Sequence, residues 1–231
     1  MRTLGAQPSL ALTVVLLLLI SVGALNLGSK LTHVDVDRNE FPVSAMQYLH
    51  DHKLSGRTVV TFNWAQYAIG CFAEDPQTFG QSRVAVDGRF ETCYPREITD
   101  IYFDFWMGTP DSNVRYRSPK SGPFDAAKAL TFKGPDLILL CRHQLPSVRV
   151  MQDHEADWTL LYQDSLAQIW GRTKRYGDPK SDDYIAPEVR RITDDVQEGN
   201  VSYPAFPVLD RHDQSASGTR STSIEGPARR I

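Results

Sequence analysis

Hydrophobic and polar positions divide the chain into segments of different period. From Leu10 to Leu27 apolar side chains run without a charge, near the minimum of about 18 residues for a helix that crosses a hydrocarbon core. "LTHVDVD" then alternates, which puts His33, Asp35 and Asp37 on one face of an extended segment and Val34 and Val36 on the other. In "PVSAMQYLHDHKLSG" the positions Ala45, Met46 and Leu49 recur at helical spacing, with Tyr48 at the edge of the stripe, Pro42 in a first turn and Gly56 as a stop. "RTVVTFN", beginning at Arg57, is β-branched and apolar on both faces, as a strand buried in an α/β sheet is.

The same alternation of strand and helix continues. "WAQYAIGCF" suits a short helix, and "RVAVD" a second buried strand that ends at Asp87-Gly88. "PREITDIYFDFWMG" predicts a helix with Ile98, Ile101, Tyr102, Phe105 and Trp106 inward, closed by Gly108. "PDSNVRYRSPKSGPF" reads as loop, and "GPDLILLCR" as a third buried strand after the break at Gly134-Pro135. "DWTLLYQDSLAQIW" predicts a hairpin, Trp158 to Tyr162 and Leu166 to Trp170, turning near Gln163-Asp164-Ser165. The expected class is therefore α/β: one N-terminal transmembrane helix, then one three-layer-like domain whose mixed, partly parallel sheet ends in a C-terminal β-hairpin.

Composition shifts divide the chain into residues 1–30, a membrane anchor or signal peptide; 31–173, the α/β domain; 174–208, an extended segment packing on it; and 209–231, a disordered tail. Within the extended segment, Pro187 to Val196 is amphipathic, and Tyr203 to Pro207 supplies proline and aromatic anchors. Ser21-Val22-Gly23 and Val22-Gly23-Ala24 are loose matches to a signal-peptide cleavage site, so both N-terminal readings stay open; a retained anchor is favoured for the length of the apolar run. Arg2 lies before that run, and Lys30, His33 and Arg38 after it, so charge gives no orientation.

A net charge of −3 and a pI near 6.1 exclude the basic surface that nucleic acid requires. Cys71, Cys93 and Cys141 are too few for a disulfide scaffold. A bridge between Cys71 and Cys93 is one reading, and buried small hydrophobes are the plainer one. No nucleophile elbow, phosphate loop, dinucleotide fingerprint or zinc-protease motif occurs, and no cofactor or metal is expected. The face with His33, Asp35 and Asp37 lacks a fourth ligand and reads as a solvated linker. Pairs four apart, Asp100 with Asp104 and Asp153 with Asp157, read as solvated helix faces.

If the first three strands are parallel, their carboxyl ends carry Asn63 and Trp64, then Asp87, Gly88 and Arg89, then Cys141, Arg142 and His143. Ligands of open α/β sheets bind outside those ends, so Asn63, Trp64, Tyr67, Asp87, Arg89, Arg142 and His143, with Glu91 nearby, are the candidate binding residues. Guanidinium forks suit phosphate and aromatic faces suit sugar rings. Against this stands the plain turn: Asp-Gly favours a bend, and Arg89 then pairs with Asp87 or Glu91. A catalytic Asp87 in a secreted hydrolase or sugar-phosphate enzyme is the alternative.

In order, "FPVSAMQYL", "GRTVVTFNWAQYAI", "VAVDGRFETCYP", "DIYFDFWMG", "DLILL" and "WTLLYQDSLAQI" resemble the soluble C-terminal domain that follows the last membrane helix in bacterial polytopic proteins similar to the GT-C glycosyltransferases. The resemblance covers roughly residues 25 to 207. It implies an extracytoplasmic domain tethered to the lipid bilayer through Leu10 to Leu27, with a polytopic membrane protein or a glycan as partner. In that superfamily the catalytic acid lies among many membrane helices, so this chain is not expected to be an enzyme on its own; any associated activity would be glycosyl transfer.

Overall fold

The computed structural model describes residues 10–32, 34–89 and 92–208. His33, Glu91 and the tail from 209 onward lie outside the described residues. Helix α1 runs Leu10–Thr32, and its large apolar side chains face outward, from Val14 at 49% exposed to Leu25 at 75%. Side chains are described for residues 12–28 of it, and among the described residues no helix is long and apolar enough to cross a membrane.

The domain is a six-stranded sheet with helices on both faces. Strands β2 (Arg57–Val60), β3 (Arg83–Val84), β4 (Leu137–Cys141), β5 (Trp158–Gln163), β6 (Ala167–Arg172) and β7 (Arg191–Ile192) take the order β3-β2-β4-β6-β5-β7. β2 is parallel to both β3 and β4, while β4–β6 and β6–β5 are antiparallel, so the sheet is mixed as expected. Period-two alternation sorts its residues into two cores. Val60, Leu137, Leu139 and Ile169 pack with α2 (Val43–Asp51) and α3 (Ala65–Glu74); Val59, Ile138, Leu140 and Trp170 pack with α5 (Arg96–Met107). The short helix α4 (Pro76–Phe79) lies between α3 and β3.

Several sequence expectations need correction. Gly56 does not end α2, which stops at Asp51; at φ 142° it admits Asp136, whose Oδ2 would lie 2.5 Å from an added Cβ and accepts the Arg57 amide at 2.9 Å. The "RVAVD" strand is paired over Arg83–Val84 only, although Ala85, Val86 and Asp87 stay buried. Helix α6 (Leu145–Gln152) was not anticipated, and Asp153 and Asp157 fall in the turn after it rather than on one helical face. The amphipathic stretch Pro187 to Val196 makes a 3₁₀ turn (Pro187–Val189) and β7, and leaves Val189, Ile192 and Val196 exposed rather than packed. The alternating segment does extend, as β1 (Asp35–Asp37), and pairs antiparallel with β8 (Asn200–Ser202), tying the end of α1 to the C-terminal segment. The cysteines are all free, so the Cys71–Cys93 bridge does not form: Cys93 is exposed and Cys71 is buried, its thiol pushed up to about 12 by that burial.

Asp100 and Asp104 are also not solvated. Both are buried on α5 and face the loop that follows. Arg115 donates to Asp100 Oδ1 at 2.7 Å and also to Asp104, while Arg117 donates to Asp104 Oδ2 at 3.0 Å. Ser121 Oγ and the Ser118 amide close on Asp100 Oδ2 at 2.6 and 2.9 Å. Burial is the largest single influence on Asp100 and would raise its pKa; the Ser121, Ser118 and Arg115 donors together hold it below the ordinary value. Removing one partner from such a network strands a buried charge. Arg115→Met is expected to cost about 3 kcal/mol in urea unfolding and to open the loop after α5 to protease, and Arg115→Lys to rescue little because an ammonium cannot fork across two carboxylates. An unchanged unfolding midpoint would contradict the network's role.

Candidate functional site

The parallel arrangement of β3, β2 and β4 sets the three expected strand ends side by side, and each candidate side chain there has its own surroundings. Asn63 is exposed in the 3₁₀ turn Phe62–Trp64 that follows β2. Trp64 points into the core and donates Nε1–H to the Glu40 carbonyl at 2.7 Å. Tyr67 donates to the Ala205 carbonyl at 2.5 Å and meets Phe41 edge-on, so it anchors the C-terminal segment; burial pushes its phenol well above the usual range.

On the other side, Arg142 donates to the Asp164 carbonyl at 2.6 Å and to Asp194 Oδ1 at 2.7 Å, clasping β7 to the hairpin turn. His143 is exposed in the turn after β4. Cys141 is half-buried and its thiol is raised by that burial.

Asp87 and Arg89 do meet. Asp87 is 2% exposed and accepts from Arg89 three ways: the backbone amide and Nε at Oδ1, each at 2.9 Å, and Nη2 at Oδ2 at 2.6 Å. Tyr94, which sequence reasoning missed, donates its hydroxyl to Oδ2 at 3.0 Å. The Arg89 side-chain bond is the main cause that lowers Asp87 to about 2; burial opposes it, and the Arg89 amide and Tyr94 add to the lowering. A carboxylate so held stays ionised and has its lone pairs engaged, which suits neither a general acid near neutral pH nor a free base. The amide bond two residues on is the Asx turn that the Asp-Gly dipeptide suggests.

The hollows follow this dispersal. Asp87, Arg89 and Tyr94 border one of about 420 Å³ with Phe72 and Phe79 in its wall. Tyr67 borders a different one of about 470 Å³ with Phe41, Tyr203 and Phe206. The largest described, about 810 Å³, includes none of the seven expected residues: it lies between α2, the end of α3, β7 and the C-terminal segment. Among the described residues no group of three His, Cys, Asp or Glu side chains could hold a metal ion.

The fold and site thus define a mixed α/β domain whose strand-end acid, Asp87, is internally bonded. No protein-family model matches the chain, no curated protein is detectably similar to it, and no solved structure matches it.

Because Asp87's folded pKa lies below its unfolded value of about 3.9, its stabilisation is complete above about pH 5 and is lost as pH falls toward 2. Asp87→Asn is expected to lower stability by about 1 to 2 kcal/mol at neutral pH, moderated by the exposure of Arg89 to water, with the gap to the parent chain closing in acid. Denaturant titrations across that range check it; a gap independent of pH would show that the pair contributes nothing electrostatic.

Proposed function

We propose that this chain is a membrane-tethered, extracytoplasmic accessory domain, which binds its target rather than transforming it and works beside a polytopic membrane protein of the GT-C kind. The observation that carries the reading is α1. Its 23 helical residues span ~35 Å at about 1.5 Å each, comparable to a hydrocarbon core of about 30 Å. Large apolar side chains from Leu12 to Leu27 are about half or more exposed, a surface that water penalises and lipid accepts. The described side chains cover residues 12–28, a little short of a full span, and the helical backbone continues at both ends.

Extracytoplasmic placement and the polytopic partner rest on the resemblance of "FNWAQYAI", "VDGRFETCYP" and "LLYQDSLA" to the GT-C C-terminal domain. A binding role rather than catalysis is supported by the site chemistry. Asp87 is held by Arg89, so the hydrolase alternative lacks the acid or base it names. Any glycosyl transfer associated with this domain would then use the partner's acidic residue.

Fractionation of the full chain in its host tests the tether. The chain is expected to stay with membranes through an alkaline carbonate wash, to be cut by protease added to intact cells, and to co-purify with a multi-helix membrane protein in mild detergent. A cleaved, solitary chain in the soluble fraction would overturn the reading.

A further inference from the structure

The connection between α1 and the domain is short. Two residues separate Thr32, the last of α1, from Asp35, the first of β1. An extended chain advances at most about 3.6 Å per residue, so the start of β1 lies within about 11 Å of the end of the helix. The apolar run of α1 closes at Leu27, and Gly28 to Thr32 continue the helix through about 7.5 Å at about 1.5 Å each. That is about the depth of one headgroup layer, roughly 5 to 8 Å. With the apolar run of α1 in the hydrocarbon, the near end of β1 is therefore held at the headgroup surface.

Antiparallel pairing decides what else is brought there. Asp35 faces Ser202 and Asp37 faces Asn200 in β8, so the end of the ladder nearest α1 is the one that continues into Tyr203, whose amide donates to the Val34 carbonyl at 2.8 Å. Both side chains are open: Val34 is 49% exposed and Tyr203 67%. Single apolar residues on a surface are ordinary. These two, however, border one hollow of about 470 Å³ whose wall includes Phe41, Tyr67 and Phe206. The ladder thus carries an aromatic, apolar patch at the level of the membrane surface, where the apolar ring and polar hydroxyl of a tyrosine suit the boundary between lipid and water. Charge narrows the kind of lipid. Asp35, Asp37 and Glu40 border the same hollow, and among the described residues no lysine or arginine does, a lining that an anionic headgroup surface would repel.

We propose that the end of the β1–β8 ladder, through Val34 and Tyr203, is a lipid-contact surface that seats the domain on a zwitterionic leaflet. This rests on the tether reading and adds to it a second point of contact, contributed by the C-terminal segment. Together the two contacts fix which side of the domain turns to the membrane. The face of the sheet covered by α2 and α3, against which Tyr67 and Phe206 pack, lies nearer the lipid, and the loop after α5, on the other face, lies farther from it.

The test uses the full chain reconstituted in phosphatidylcholine liposomes, with Tyr203→Trp as a reporter that keeps an aromatic side chain at the site. The native Trp64, Trp106, Trp158 and Trp170 are all 4% exposed or less, so quenching from outside falls mainly on the added indole. Its emission is expected to fall severalfold when phosphatidylcholine brominated high on its acyl chains replaces the plain lipid. It is also expected to be shielded from aqueous iodide severalfold better than that of Tyr116→Trp, at a position 66% exposed in the loop after α5. Bromine quenching at position 203 no greater than at 116 overturns the proposal, and so does an indole at 203 open to iodide. An indole shielded from both quenchers overturns it too, since protein rather than lipid would then cover the patch. Flotation with the liposomes is scored separately: a chain that floats while position 203 stays open to iodide keeps the tether and loses the contact, and a chain that does not float loses both.

Discussion

Burying a carboxylate costs several kcal/mol unless donors replace the water it leaves, and this domain buries four aspartates among its described residues: Asp87, Asp100, Asp104 and Asp164. Each is met in full. Asp87 receives Arg89 and Tyr94; Asp100 and Asp104 share Arg115 with Arg117 and the Ser118 to Ser121 turn; Asp164 accepts the Leu166 and Ala167 amides at 2.8 and 2.7 Å and the Tyr162 hydroxyl. These bonds shape the parts of the chain that periodicity does not: the bend after β3, the long loop folded back on α5, and the β5–β6 turn. The same bonds withdraw the acids from chemistry.

Tyr48 is the counterpart of that rule. The Tyr48 hydroxyl is buried without a hydrogen-bond partner, as are Trp106 Nε1 and Arg57 Nε. Burial raises its pKa to about 12, so it remains a donor throughout the physiological range. The largest described cavity depends on the C-terminal segment, and that segment is tied by β8 to β1, directly after α1. Helix α1 and the C-terminal segment are thus joined through one two-stranded ladder.

Much of the framework was legible in the sequence because burial on both faces of a sheet leaves continuous apolar runs. β2, β4 and the hairpin follow from them, and α5 follows from its 3-to-4 spacing and Gly108, which takes the left-handed conformation at its end. The pairing of Asp87 with Arg89 was one of two readings, and local enough to be stated beforehand. What stayed hidden is non-local. Nothing in the spacing of Asp100 and Asp104 indicates that arginines 11 to 15 residues on will fold back over them. Of the residues expected at the sheet edge, Asn63 and His143 are exposed and Arg142 is bonded to Asp164 and Asp194, because strand order brings residues to an edge without deciding which partners their side chains take. Tyr48 was visible as the edge of a helical stripe, and its lack of a partner is a property of the packed fold alone.

The account rests most directly on buried acids being structural, so the most direct measurement is a carboxyl-carbon NMR titration of the aspartates in the folded chain. Asp87 should titrate near 2, well below the ordinary 3.8, and Asp100 should also lie below it. An Asp87 that titrates above about 5, in the range a proton-transferring carboxyl requires, would contradict the account and return the strand edge to the catalytic reading.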